Sequence, residues 1–279
     1  MIEKIIVSEV RKKKELQFLG KSFILSKYAE MIRLDKQLRE KVASYSQAQL
    51  VKSKEFKKIV KDIRASARKI YGIFQPPKEL VLRDALKELS YDSEYVLCVL
   101  ESHLSTKERL ADYETFFTDL ESEFGKPTSV LDLACGLNPV AYYYYTKNLD
   151  TKYLANELSE IECEQLQSFL NYNNIDAKAV AFDCVKETDS IPAQKFDWCF
   201  LLKALDTFEY QKKYITYDIL KSINATVIIA SFPIQNIRGM GMQRDPKINW
   251  FEKMLERGEY QFKTRELGGE VIYIVTQTS

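Results

Sequence analysis

Residues 129–139, Ser-Val-Leu-Asp-Leu-Ala-Cys-Gly-Leu-Asn-Pro, constrain the fold more than any other stretch of this chain. Ser129 to Leu133 reads as a buried strand that breaks into a tight turn at Ala134, Cys135 and Gly136, with the acidic Asp132 just before the break. Gly136 can take φ > 0 and Ala134 carries little side chain, so backbone N–H groups there can approach a ligand closely. The spacing is not G-x-G-x-x-G, so the turn is not built to cradle a pyrophosphate. From about residue 111 the chain keeps a strand–helix–strand rhythm, with strands expected at 129–133, 152–157, 178–182, 196–202, 225–231, 259–264 and 270–277. The runs Phe200-Leu201-Leu202 and Val227-Ile228-Ile229-Ala230 are short and continuous, as parallel strands covered on both faces require. The last two strands are separated only by Leu267-Gly268-Gly269 and should form an antiparallel hairpin. The expected fold is therefore α/β, with five parallel strands and a terminal hairpin in one seven-stranded sheet.

Upstream, residues 1–110 read as an all-helical domain ahead of a domain at 111–279. Phe18, Ile24, Leu25, Tyr28, Met31, Ile32 and Leu38 recur mostly at helical steps, and Phe56, Val60, Ile63, Ala67 and Ile70 continue the pattern. Gln75-Pro76-Pro77 stops a helix, and Ser105 or Thr106 is placed to cap the next one. The net charge of +1 conceals a split. Residues 1–70 hold 19 Lys and Arg against 8 Asp and Glu, a net of +11, and the remainder carries −10. Such asymmetry points to a polyanionic partner. The basic positions lack the one-faced Trp/Leu/Phe stripe of an interfacial helix, which favours nucleic acid over membrane. Five scattered cysteines, no C-x-x-C pair and a single histidine speak against a disulfide framework or a zinc site. With no long apolar run and a charged N-terminus, the expectation is a cytoplasmic protein with no metal and no membrane partner.

The turn at 132–136 resembles the opening of the cofactor site in S-adenosylmethionine (SAM) methyltransferases. Beside it stands His-Leu-Ser-Thr-Lys-Glu-Arg-Leu at 103–110, followed in order by Ser231-Phe232-Pro233, Arg238-Gly239-Met240-Gly241-Met242, Asn249-Trp250-Phe251-Glu252 and Gly269-Glu270-Val271-Ile272-Tyr273-Ile274. Together they resemble the aminoglycoside-resistance 16S rRNA methyltransferases of the Arm/Rmt/Sgm type, which methylate N7 of a decoding-site guanine (the guanine-1405 type). The resemblance spans roughly residues 60–279. It implies a Rossmann-like SAM methyltransferase fold behind the helical domain, SAM as cofactor, and 16S rRNA in the 30S subunit as partner.

In an open α/β sheet, ligands sit beyond the carboxyl ends of the strands. Strand one delivers Ala134 and Gly136, strand two ends at Glu157 (ribose hydroxyls), strand three at Asp183 and Cys184 (adenine amino group), and strand four at Leu202 and Lys203. The resemblance adds His103, Leu104, Ser105 and Arg109 as cofactor contacts, with Arg109 as a fork for the methionine carboxylate, and Phe74 as an aromatic packing position. Leu104 and Glu157 stand where relatives carry Ala and Asp. Guanine N7 has a lone pair and no proton to lose, so alignment rather than acid–base chemistry should carry catalysis. Asn138 and Pro139 are the candidate contacts to the target base, with Trp250 and Phe232 to stack it. Lys12, Lys13, Lys14, Lys57, Lys58, Lys61 and Arg238 are the candidate RNA-binding cations. Tyr142–Tyr145 cannot all face one side of a helix and should pack rather than stack bases. Two alternatives stay open: a methyltransferase of another structured RNA or rRNA position, and a non-catalytic ribosome-binding protein on a relic fold.

Overall fold

The computed structural model describes residues 2–17, 19–70, 85–234 and 248–277. Phe74, the Gln75-Pro76-Pro77 break and the 235–242 loop with Arg238 lie outside these residues. The chain opens with five helices, α1 (Ile2–Arg11), α2 (Lys21–Leu34), α3 (Lys36–Ser44), α4 (Gln47–Lys52) and α5 (Lys54–Ile70). Each buries one stripe. Ile6 and Val10 of α1, Phe23 and Ile24 of α2, and Phe56, Ile59, Val60, Ile63 and Ala67 of α5 close a core of their own. This matches the helical spacing and leaves Lys54, Lys57, Lys58 and Lys61 of α5 exposed.

The sheet follows the expected strands within a few residues: β1 (Ser129–Leu133), β2 (Lys152–Glu157), β3 (Ala177–Ala181), β4 (Phe196–Leu202), β5 (Ala225–Pro233), β6 (Tyr260–Leu267) and β7 (Glu270–Gln277). Its order is β3-β2-β1-β4-β5-β7-β6. The first five strands are parallel, and β7 runs antiparallel between β5 and β6. Gly268 and Gly269, both at positive φ, make the two-residue hairpin turn.

Alternation along the central strands divides the core. Val130, Trp198, Phe200, Val227 and Ile229 face one way, against α6 (Tyr95–Glu101), α8 (Tyr113–Phe124), α9 (Asn138–Thr146) and α10 (Glu160–Tyr172). Leu131, Leu133, Cys199, Leu201 and Ile228 face α11 (Leu205–Gln211), α12 (Ile215–Ser222) and α13 (Asn249–Arg257). Tyr142 and Tyr143 are fully buried in the first layer, their hydroxyls satisfied by the Thr151 hydroxyl at 2.8 Å and carbonyl at 2.9 Å, while Tyr144 and Tyr145 pack at its rim. The four tyrosines thus divide between core and rim.

Two expectations differ from the packing. Leu86, Val96, Val99 and Leu100 belong to the sheet's core, so the change from helical layer to sheet layer falls before residue 86 and not at 110. Neither Ser105 nor Thr106 caps α7 (Leu104–Arg109). His103 holds the cap position, and the Thr106 hydroxyl instead donates back to the carbonyls of Leu100 and His103.

Candidate active site

The chain order reverses about β1, whose neighbours are β2 and β4. Such a switch point leaves a crevice at the carboxyl ends of the strands. A cavity lies there, and its lining brings together His103, Ser105, Ala134, Glu157, Asp183, Cys184, Leu202 and Lys203. Eight sequence-derived candidates, spread over a hundred residues of chain, thus converge on one space.

The turn after β1 forms the floor. Ala134 and Gly136 sit at φ +55° and +56°. A Cβ on Gly136 would come within 2.8 Å of the His103 ring, so glycine is required there by conformation and by space. The His103 ring packs over the turn, with Nδ1 and the Ser105 hydroxyl 3.0 Å apart. The Gly136 N–H donates to Glu157 Oε1 at 2.8 Å, and the Leu158 N–H donates to Oε2 at 2.9 Å. Each carboxylate oxygen of Glu157 therefore has one backbone donor and lone pairs to spare.

Asp183 is buried. Its Oδ1 accepts the Val185 N–H at 3.0 Å, while Oδ2 takes no hydrogen bond and stands 3.4 Å from the Lys186 ammonium. Lys186 in turn donates to the Ser26 hydroxyl of α2 at 2.7 Å, tying the helical layer to the rim of the cavity. The neighbouring Cys184 thiol is held well above its usual pKa, chiefly by burial, and is a packing group, not a nucleophile. An unfilled buried acceptor at Asp183, a tethered carboxylate at Glu157 and a glycine turn fit the adenine amino group, ribose hydroxyls and amino-acid end of SAM.

Several liners were not legible as single residues. Asn156, Leu158, Glu162, Phe182, Ala204, Thr207, Phe208 and Gln211 also face the cavity. Asn156 is the clearest miss: its amide donates to the Val180 and Phe182 carbonyls, and its Oδ1 accepts from Cys184 Sγ. It locks the ends of β2 and β3 together, and its place one residue before the strand-end acid was the available signal.

Arg109 sits apart from the other expected cofactor contacts. It is 3% exposed and does not line the cavity. Its fork is filled by Glu270, with Nε to Oε1 at 2.7 Å and Nη2 to Oε2 at 3.1 Å. Lys203 stands 3.1 Å from Glu270 and pairs also with Glu108, and the Ser231 hydroxyl donates to Glu270 at 2.5 Å. Burial alone would raise the Glu270 pKa, but Arg109 and Lys203 outweigh it and hold the carboxyl below its usual value. Arg109 thus pins α7, and with it His103 and Ser105, to the start of β7. Among the described residues, Lys203 is the Lys or Arg that lines the cavity. Leu104, the first residue of α7, is half-buried beside the lining.

Asn138 and Pro139 open α9, are buried, and present no face to a base. The Asn138 amide donates to Asp132 Oδ2 at 2.8 Å, which also accepts from the Tyr153 hydroxyl at 2.6 Å. Burial pushes the Asp132 carboxyl up to about 7. Phe232 is likewise fully buried, among Trp250, Phe251 and Tyr273. Trp250 is only partly buried and keeps access to the surface.

On the helical layer, Lys13, Lys57, Lys61, Arg64 and Arg68 line a groove together with Glu9. Arg64 Nε within it is buried without an acceptor. Lys12 pairs with Glu9, Lys58 is exposed on the outer face of α5, and the Lys14 side chain lies outside the described residues. Among the described residues no cluster of His, Cys, Asp and Glu could hold a metal, and no helix is long and apolar enough to cross a membrane.

Comparison with known proteins gives this geometry its setting. The chain is 27% identical over 227 residues, 77% of its length, to a 16S rRNA (guanine(1405)-N(7))-methyltransferase of Frankia casuarinae, covering 79% of that protein. It superposes on the 16S rRNA methyltransferase RmtF, solved with S-adenosyl-L-homocysteine, with a TM-score of 0.72 at 22% identity over 99% of this chain and 98% of that one. The 16S rRNA methylase ArmA is 28% identical with a TM-score of 0.57, over 71% of this chain and 98% of that one. The family described as ribosomal RNA methyltransferase (FmrO) matches residues 37–274, and this chain belongs to that family of SAM-dependent enzymes.

Proposed function

We propose that this enzyme transfers the methyl group of SAM to N7 of the guanine at the 1405 position of 16S rRNA, within the assembled 30S subunit in the cytoplasm. One observation carries the reading: a cavity suited to SAM stands beside a helical layer whose groove presents Lys13, Lys57, Lys61, Arg64 and Arg68. A small-molecule methyltransferase would not need that second feature, and relatives over most of the chain bear the name of this activity.

When bound, SAM supplies an electrophilic sulfonium methyl; the N7 lone pair forms the new C–N bond as the methyl–sulfur bond breaks and leaves a thioether. The protein's own residues have no proton to remove. His103 is 7% exposed, packed on Gly136 and hydrogen-bonded to Ser105, which suits it to shape the cofactor pocket rather than to act as a base. Glu157 and Asp183 orient the nucleoside end, and Lys203 offers positive charge. Alignment of nucleophile and methyl can contribute roughly 7–11 kcal/mol without further chemistry.

The deciding experiment is primer extension on 30S particles treated with enzyme and SAM, after chemical cleavage at 7-methylguanine. A stop at the 1405 position on 30S particles, little modification of naked 16S rRNA and none of 50S particles are expected. Expression in a bacterium should give resistance to gentamicin- and kanamycin-type drugs and leave streptomycin active. Efficient transfer to tRNA with 30S particles untouched would move the reading to another structured RNA.

A further inference from the structure

A second groove lies between α11, α12 and α13, one helix away from the cofactor cavity. α11 serves both: Thr207, Phe208 and Gln211 face the cavity, while Asp206, Glu209 and Tyr210 face the groove. The separation is thus about one helix diameter, ~10 Å.

The walls of this groove are aromatic. Tyr210 and Tyr214 are 59% and 81% exposed, two of the few large hydrophobic side chains turned outward among the described residues. Tyr217 and Trp250 continue the surface. Trp250 is fixed edge-on against Phe232, with ring centroids 5.8 Å apart. Tyr214 is held in a conformation that bulky residues rarely adopt, at φ +67°. The Glu209 carboxylate secures it by accepting the N–H groups of Tyr214 at 2.7 Å and Thr216 at 2.9 Å. Strain of this kind persists where surrounding contacts over-determine it, and here it projects a ring into solvent. Around the rings stand Lys213, Lys253 and Arg257. One groove carboxylate, Glu209, is committed to backbone donors, and among the described lining residues Asp206 is the other acid beside these cations.

Stacking faces with interleaved cations are the combination that binds unpaired nucleotides, the rings taking bases and the cations taking phosphates. A folded RNA whose target base has left its stack has unpaired neighbours within reach of such a site. We propose that this groove binds an unstacked nucleotide of the substrate RNA flanking the target base, with Tyr210, Tyr214 and Trp250 as the stacking surface and Lys253 and Arg257 on the backbone. The assignment to the substrate strand rests on the function proposed above; the affinity for single-stranded RNA does not.

Two measurements on the full-length protein test it. Trp198 is buried, so quenching of tryptophan fluorescence by oligouridylate reports on Trp250. The double variant Tyr210→Ala, Tyr214→Asn should bind the oligonucleotide about tenfold more weakly than wild type, with SAM affinity and melting temperature preserved, since asparagine tolerates the left-handed region. Equal quenching in both proteins, or none in the wild type, would overturn the groove as an RNA site. A photoreactive benzoylphenylalanine at position 214 should cross-link to 16S rRNA on 30S particles. Cross-linking to a ribosomal protein alone would overturn the assignment to RNA. If wild-type enzyme fails to methylate 30S particles, the proposed function fails, and the oligonucleotide measurement still judges the groove.

Discussion

At the scale of single residues, two charged side chains, Glu157 and Arg109, separate cofactor binding from stability. Glu157 faces the cavity with spare lone pairs, so Glu157→Ala should weaken SAM binding by roughly 1.5–3 kcal/mol, the worth of a charge-assisted hydrogen bond. Arg109 makes its bonds inside the protein, to Glu270. Removing one partner of such a buried pair leaves an uncompensated charge and costs about 3–5 kcal/mol of folding free energy. Arg109→Ala should therefore lower the melting temperature steeply, and Glu157→Ala far less; calorimetry and thermal melts in parallel check the split. Asp132 gives a further test. Its folded pKa is raised from 3.8 to about 7, so the native state keeps a proton that the unfolded chain has lost. Its contribution is full below pH ~4 and declines as pH rises through 7. Asp132→Asn should flatten that decline in urea unfolding measured between pH 4 and 8, and an unchanged slope would place the pH dependence elsewhere. Sequence made Glu157 and Asp183 legible because strand ends in parallel sheets point to ligands. It could not show the pairing of Arg109 with Glu270, which lies 161 residues away.

Elements were easier to read than their joints. The strands followed from apolar runs bounded by turn residues, and the hairpin from two adjacent glycines. The division at 110 did not follow, because helices 95–101 and 113–124 carry the same helical rhythm as the basic layer while burying their stripes against the sheet. Periodicity reports that a face is covered and is silent on what covers it. The β1–α9 turn shows the opposite case, where local chemistry and tertiary contact agree. Gly136→Ala meets both the left-handed penalty, roughly 1–2 kcal/mol, and the His103 ring at 2.8 Å. Ala134 already tolerates the same φ, so the backbone can hold and the ring must move. We expect SAM affinity to fall at least tenfold while the melting temperature drops by only a few degrees. A loss of stability without loss of affinity would show that His103 does not shape the pocket.

For the whole molecule, the charge split becomes spatial. The +11 of residues 1–70 is carried by helices with their own core, and their contact with the sheet layer reaches the cofactor rim through Lys186, between Asp183 and Ser26. A polyanion held on the basic groove is therefore held on a layer that is joined to the cavity rim through Ser26 of α2 and Lys186. Phosphate contacts release counterions, so each one lost should flatten the salt dependence of 30S binding by about 0.7–0.9 in log–log slope. Lys57→Ala, Lys58→Ala, Lys61→Ala combined should weaken subunit binding and reduce that slope. These side chains are exposed, so melting temperature and SAM affinity should not follow. Of the three, Lys57 and Lys61 line the groove beside Lys13 while Lys58 does not. Lys57→Ala with Lys61→Ala should then account for most of the change in slope, and Lys58→Ala alone for little. Equal slopes for the triple variant and the wild type would reduce the charge split to a solvated surface and leave the groove between α11, α12 and α13 as the principal RNA contact.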